Sequence, residues 1–410
     1  MDMGNKIPLF LRFDFVLLNQ LVLLSGCIVS LFRIPSIPFY LPFQSTKMMG
    51  IISFSLFFYL FGKIISSLLN NRSCNYVERD FVELKFDISI FLFMLKSLFF
   101  VLLMVSVALF YFLFWAYLSN MDFTGMKLEI ITKRTYGLSR IVYIILPYLG
   151  LLIWGFALQI KGKIKFNNIY ILIPLLLLML TLFKGTVLFF LLKVIGIYIK
   201  CEKKSQIPLL RILIIFMIFI FIVSGLFFFS EGKDIQSSDN SNSYMNSVIY
   251  FFDRLLLFSL EGLNGIISLD LPSDIFRQVM TFFGLDNYQQ GLELTKILTG
   301  SESPSFSTVP TLYGVGWRNG GYFSLALLFI LLGVITRSLL TAIYKTRSLI
   351  NTVTFYSIYI VLIGEVQTGD ILNHIRGPIL SIFIIHLFIK LLFCLFTKTR
   401  VEMKNENPVS

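Results

Sequence analysis

Residues 209–230, LLRILIIFMIFIFIVSGLFFFS, run straight into residues 231–243, EGKDIQSSDNSNS, and this junction decides the fold class. The first part carries a single charge, Arg211, over a length that crosses a ~30 Å hydrocarbon core as a helix. The second part is almost wholly polar and reads as a linker outside the membrane.

Outward from the junction the pattern repeats. Apolar runs recur at 13–32, 48–69, 94–118, 139–160, 168–183, 186–200, 321–343, 349–368 and 378–397. With 209–230 they predict an all-α polytopic membrane protein of about ten transmembrane helices, within a range of nine to twelve. Composition agrees: the chain is 56% hydrophobic and 14% charged, where soluble domains carry about 25% charge. The run 13–32 has no clear small-residue cleavage site, so it reads as a first span and not as a cleaved signal. The expected organisation is a bundle of about seven helices over 1–230, a large outer loop over 231–320, about three helices over 321–397, and a tail over 398–410.

The net charge of +12 comes from short clusters between apolar runs, so it reads as membrane topology and not as a nucleic-acid surface. With ten spans, the clusters Lys6/Arg12, Arg72/Arg79/Lys85, Lys161/Lys163/Lys165, Lys200/Lys203/Lys204, Lys345/Arg347 and Lys398/Arg400/Lys404 fall on one side. That side is expected to be the cytoplasm, which puts both termini there. Lys127, Lys133 and Arg134, in the outer loop 119–138, run against the rule. None of Cys27, Cys74, Cys201 and Cys394 lies in 231–320, so that loop has no disulfide framework.

Three outer features concentrate polar groups. The pair 169–183 and 186–200 is short, reaching about 24 Å at 1.5 Å per residue, so the turn at Lys184 sits below the surface. Its lysine either snorkels outward or faces a watery cavity. In the large loop, Tyr244–Leu269 is apolar except for Asp253, Arg254 and Glu261, with Arg254, Phe258, Glu261 and Gly265 on one helical face. This predicts a helix lying on the membrane surface or capping a cavity, with an eleventh span as the alternative. A second helix is expected over Asp274–Phe283, bearing Arg277, before Asp286, Glu293, Lys296 and the turn formers of 299–310. The loop re-enters through TLYGVGWRNGGY, residues 311–322, whose four glycines permit close backbone approach. The third feature is the turn 367–376, QTGDILNHIR, with Asp370, His374 and Arg376.

The segment 300–333, GSESPSFSTVPTLYGVGWRNGGYFSLALLFILLG, resembles the loop-exit signature of the Wzy-type polymerases of O-antigen and capsule repeat units. The likeness rests on Pro304, Pro310, Tyr313, Gly316, Gly320 and Gly333. Arg254–x10–Gly265 is similar to a spacing of the outer loops of such polymerases, and Lys184 stands where arginine is commoner. No second copy of Arg–x10–Gly occurs in the other outer loops.

The resemblance implies a GT-C-like helical membrane glycosyltransferase of the bacterial inner membrane. It would move a growing glycan from its polyprenyl (undecaprenyl) diphosphate carrier onto the next lipid-linked unit at the periplasmic face. Implied partners are polyprenyl-diphosphate-linked oligosaccharides, membrane lipid and a chain-length regulator protein, with no nucleic acid. No metal or cofactor is expected, since no outer Asp-x-Asp, zinc-spaced cluster or nucleotide-type glycine loop occurs.

A lipid diphosphate leaving group calls for cations, and arginine is a permanently charged bidentate donor. Arg254, Arg318 and Arg376 are the catalytic candidates, with Glu261 and His374 as bases for the acceptor hydroxyl. Arg277, Lys184, Arg140, Tyr313 and Glu302 are the substrate-binding candidates. Asp370 is a further base, and Glu365, an acid within a span, is a functional candidate by position. Bland readings stand beside these: Arg254 paired with Asp253, Arg277 solvated, Arg318 an interface anchor, His386 a packing residue. The rival functions are an O-antigen ligase, a polysaccharide flippase or transporter, and a structural scaffold. A ligase should carry a prominent histidine in its large loop, and 231–320 has none. A transporter should show shorter loops and paired halves.

Overall fold

The computed structural model describes residues 14–32, 41–120, with 71–87 excepted, 126, 140–159, 168–180, 184–202, 260–283, 285–286, 288–301, 308–346, 348–369, 372 and 375–405. These residues form helices and connections, with no strand among them. The helices are α1 (Phe15–Phe32), α2 (Ser45–Asn70), α3 (Ile88–Ser119), α4 (Leu146–Gln159), α5 (Ile169–Leu180) and α6 (Lys184–Glu202). They continue with α7 (260–269), α8 (Ile275–Phe282), α9 (Gln290–Thr299), α10 (Thr311–Arg318), α11 (Gly321–Lys345), α12 (Leu349–Thr368) and α13 (Leu380–Asn405). Wider π-helical turns, Ile141–Ile145 and Ile375–Ile379, lead into α4 and α13.

Seven of the described helical segments are long and apolar enough to cross a membrane, and α5 adds a shorter apolar one. The architecture is that of a helical multi-pass membrane protein. Large apolar side chains such as Phe93, Phe112 and Phe323 lie exposed on its flanks, a surface suited to hydrocarbon. The span expected at 209–230 lies outside the described residues.

The bundle is two packed halves that share α6 and α12. One core joins α1, α2, α6, α7, α10, α11 and α12 through Leu23, Ile52, Ile199, Leu263, Tyr313, Phe329 and Tyr359. The other joins α3, α4, α5, α6, α12 and α13 through Phe99, Leu149, Ile171, Phe190, Val353 and Ile385.

Small residues decide how close the helices come. The α2–α11 pair is tightest: a Cβ on Gly62 would lie 2.2 Å from the Ile330 carbonyl oxygen, and one on Gly333 2.2 Å from that of Tyr59. Farther along, Ser66 and Ser338 hydrogen-bond at 3.1 Å. Since Phe54 meets Tyr322 at the start of the contact, α2 and α11 run parallel. Polar contacts fix other directions. Phe15 N donates to Tyr359 OH at 2.7 Å and Asn19 Nδ2 to Ile363 O at 2.9 Å, so α1 is parallel to α12. Tyr148 bonds Thr354 at 2.7 Å while Gly155 packs on Leu349, so α4 is antiparallel to α12. Lys200 Nζ donates to the Ile343 and Tyr344 carbonyls, bringing the ends of α6 and α11 together.

These directions follow the alternation that the basic clusters required. They gather residues 41–44, Arg140, the start of α6, α7 to α10, Gly369, Ile375 and Arg376 at one end of the bundle, hereafter the loop end. The described parts of the three outer features picked out in the sequence therefore share one end.

One loop expectation is corrected in its described part. Of the helix expected over Tyr244–Leu269, on the membrane surface or capping a cavity, residues 260–269 are described as α7, and 260–267 are buried on every side and so do not lie on a membrane surface. The reason is close approach. Gly262 faces the Val309 carbonyl, Gly265 faces Leu298 of α9, and Ile266 fills the space beside Gly314 of α10. On its polar edge, Asn264 accepts from Gln44 N at 2.9 Å and Gln44 Nε2 donates to Ser268 at 3.0 Å, clamping the entry to α2. The glycine-rich entry over 311–322 contains the helix α10 and the start of α11, and Gly314 and Gly316 allow the close approach the sequence suggested, against Ile266 and Leu325.

Candidate functional site

The loop end is organised around α8, a helix too short to stand alone. Its first residues lack a side-chain cap from its own N-cap, Asp274. The cap comes instead from Asn319, just before α11. Its Oδ1 accepts from Ser273 Oγ at 2.7 Å, Asp274 N at 3.0 Å and Ile275 N at 3.1 Å. At the other end Arg376, which leads into α13, donates from Nη1 to Thr281 O at 2.6 Å. Asn319 thus caps the start of the helix and Arg376 its end, where the cation sits at the negative end of the helix dipole.

Arg318 closes α10 and reaches the same helix start. Its Nε donates to Pro272 O at 2.6 Å, and its Nη1 donates to Asp274 Oδ2 at 2.8 Å and Tyr288 OH at 3.1 Å. Asp274 Oδ2 also accepts the Tyr288 hydroxyl, and its Oδ1 accepts from Gln278 Nε2 at 2.7 Å. The Arg318 and Asp274 side chains are only 5% and 2% exposed, so this is a buried charge pair with its donors and acceptors matched. Burial, then the bonds to Asp274 and Glu293, hold the Tyr288 phenol above its usual range, so it serves as a donor and not as a base.

Arg277 lies on α8 with its guanidinium over the Tyr288 ring at 4.2 Å. It pairs with Asp286 at 3.4 Å and Glu293 at 3.1 Å and stays half exposed. Arg277 and Arg318 are thus both engaged by carboxylates. Arg376 differs. It is half buried, its hydrogen bond goes to a carbonyl, and no carboxylate among the described residues is within ion-pair distance of it.

The other sequence candidates divide clearly. Glu261 is buried within α7. Tyr313 is fully buried, stacked on Phe329 at 4.8 Å, and presents no edge to a ligand; burial raises its hydroxyl well above the usual range. Arg140 is exposed at the start of the π turn before α4. Lys184 begins α6 at the loop end, as the short-hairpin reading required, though its side chain is outside the description, as is that of Glu365. Arg254, Glu302, Asp370 and His374 lie outside the described residues. His386 behaves as the packing residue expected, bonding Thr354 at 2.7 Å between α12 and α13.

Sequence reasoning missed Asp274, Tyr288 and Asn319, the groups that hold Arg318 and α8 in place. Asp274 carried a weak signal as a capping residue before an amphipathic run, whereas nothing local marks Tyr288 or Asn319. It also missed the pair Asp14–Lys63 at 2.6 Å, joined by Tyr59 OH at 2.7 Å, which an acid and a lysine at the margins of apolar runs could have suggested.

One backbone feature locks the loop end to α12. Thr311 starts α10 at φ 58°, a conformation that costs a β-branched residue about 1–3 kcal/mol. Its carbonyl lies where a Cβ on Gly369, itself at φ 69°, would come within 2.4 Å. Among the described residues no group of histidine, cysteine and acidic side chains could hold a metal ion. Compared with family models, curated proteins and solved structures, the chain matches none.

Proposed function

We propose that the chain is a polymerase of lipid-linked oligosaccharide repeat units, acting where its loop end meets the bilayer of the bacterial inner membrane. The observation that carries this reading is Arg376, a guanidinium without a carboxylate partner among the described residues, at the entry to an apolar helix. A lipid diphosphate places its charge at that depth, between headgroup water and hydrocarbon. Arg376 binds the diphosphate, and Arg254 from the large loop is its proposed companion. Arg140 and Lys184, at the same end, add positive potential along the approach.

In the reaction, an acceptor sugar hydroxyl forms a bond to the anomeric carbon of the donor glycan. The bond from that carbon to the diphosphate oxygen breaks, and its electron pair leaves on the diphosphate. The cation lowers the barrier by meeting the charge as it develops. The hydroxyl proton passes to a base, for which Glu261, His374 and Asp370 are the candidates. Arg318 and Arg277 serve as positioning residues, holding α8 across the site.

Deleting the gene and resolving surface glycans by length tests the reading. Loss of the long-chain ladder with single units retained is the expected result. Loss of every capped form would instead indicate a ligase or a flippase. Complementation with Arg376→Ala, at normal protein level, should leave the ladder short, and Arg376→Lys should restore it in part. A full ladder from Arg376→Ala would remove Arg376 from the site.

A further inference from the structure

Helix α8 is folded inside out for a protein surface in water. Its polar side faces the protein: Arg277 pairs with Asp286 and Glu293, Gln278 bonds Asp274, and Thr281 is buried. Its apolar side faces away. Phe276 is 72% exposed and Phe283 69%, and Ile275, Val279 and Leu285 are exposed beside them. At 100° per residue, Ile275, Val279, Phe283 and Phe276 fall within one arc of about 100°, with Arg277 and Thr281 on the other side. In water this orientation leaves several large side chains unburied, at ~25 cal/mol for each Å² of apolar surface. It is favourable only against an apolar medium.

The position of α8 says which medium. Its start is capped by Asn319 and gripped by Arg318, two residues ahead of Gly321 where α11 begins its span. Its end is capped by Arg376, at the head of the apolar segment Ile375–Cys394. A helix tied at both ends to the entry points of two spans lies along the membrane boundary. Both of those spans carry exposed apolar side chains of their own near these ends, Tyr322, Phe323 and Leu327 on α11 and Leu380, Phe383 and Ile384 on α13.

We propose that α8 is an interfacial helix whose Ile275–Val279–Phe283 face, with Phe276 and Leu285, is embedded in the lipid of the leaflet at the loop end. The occupant is the headgroup–acyl boundary of the bilayer, not a protein partner. The embedded face holds the arginine-bearing side of α8 at the depth of lipid phosphates. The inference stands on the geometry of α8 and does not depend on the polymerase reading.

The test uses the full chain in liposomes, with the four native cysteines replaced by alanine. Spin labels are placed singly by Phe276→Cys and Phe283→Cys, with Lys296→Cys on exposed α9 as the aqueous control. The labels at 276 and 283 should be relaxed by dissolved oxygen and shielded from a water-soluble nickel chelate, with the opposite balance at 296. Equal access of the chelate to all three sites overturns the proposal, and so does spin–spin broadening at 276, which would place a second copy of the chain on this face. A photo-crosslinking phenylalanine analogue at 276 in the chain with its native cysteines gives an independent reading. Lipid adducts are expected, while cross-linked dimers or an absence of lipid adducts would count against the proposal.

Discussion

Arg318 and Arg376 look alike in the sequence, each an arginine just ahead of an apolar helix. Their surroundings separate them. Arg318 is nine-tenths buried and neutralised by Asp274, so removing it strands a buried carboxylate, a loss of about 3–5 kcal/mol. Arg318→Ala should therefore lower the unfolding temperature in detergent, and Asp274→Ala should lower it too. The two losses should be strongly non-additive when combined, since each breaks the same pair. A catalytic contact predicts something different: Arg318→Ala would shorten the glycan while Asp274→Ala would not. Among the described residues Arg376 bonds a carbonyl and no carboxylate, so Arg376→Ala should cost less stability than Arg318→Ala, about 1–3 kcal/mol, while abolishing long chains. Tyr313 shows the limit of motif reading at this scale. It stands in the segment resembling the polymerase signature, yet it is a core ring against Phe329. A motif residue and a packing residue can share one identity, and only burial tells them apart.

At the scale of the element, glycine carries the argument. Gly50 and Gly62 lie on the same helix, α2. A Cβ at Gly50 meets nothing within 4 Å, and one at Gly62 runs into the Ile330 backbone. Gly50→Ala should be neutral or slightly stabilising, by the ordinary helix preference of about 1 kcal/mol. Gly62→Ala and Gly333→Ala should each destabilise by about 1–3 kcal/mol, because backbone must move to admit the methyl group. Thermal unfolding of the four proteins, wild type included, decides this, and equal stability would show that α2 and α11 are not in such contact. The same logic explains why α7 is interior and α8 peripheral. Both helices are amphipathic in sequence and both lie in the large loop. Gly262 and Gly265 of α7 admit Val309 and Leu298 to contact, and Gly314 of α10 admits Ile266, which covers the apolar surface of α7 with protein. Helix α8 has no glycine and bulky Phe276 and Phe283 on its outward side.

For the whole molecule, the helical multi-pass class was readable because hydrocarbon imposes it locally. A backbone in lipid must satisfy its own hydrogen bonds, and that demand is written as run length and composition. The alternation of basic clusters likewise anticipated helix directions, which the α2–α11 and α1–α12 contacts display. If the loop end is the outer face, a protease added to right-side-out cells should cut tags inserted at the exposed tip 300–301 and spare tags at the C-terminus; the reverse pattern would invert the topology. The pairing of helices was not readable, since lipid and protein present similarly apolar surfaces to a leucine or phenylalanine side chain. Small residues and buried polar pairs such as Asp14–Lys63 choose the partners, and those contacts join residues far apart in the chain. The same holds at the loop end. The sequence by itself determined that Arg277, Arg318 and Arg376 would lie at one face of the membrane. Only the tertiary structure decided that Asp274, Asp286 and Glu293 engage two of them while no carboxylate among the described residues engages the third, because an ion pair depends on distances of a few ångströms that no spacing along the chain specifies.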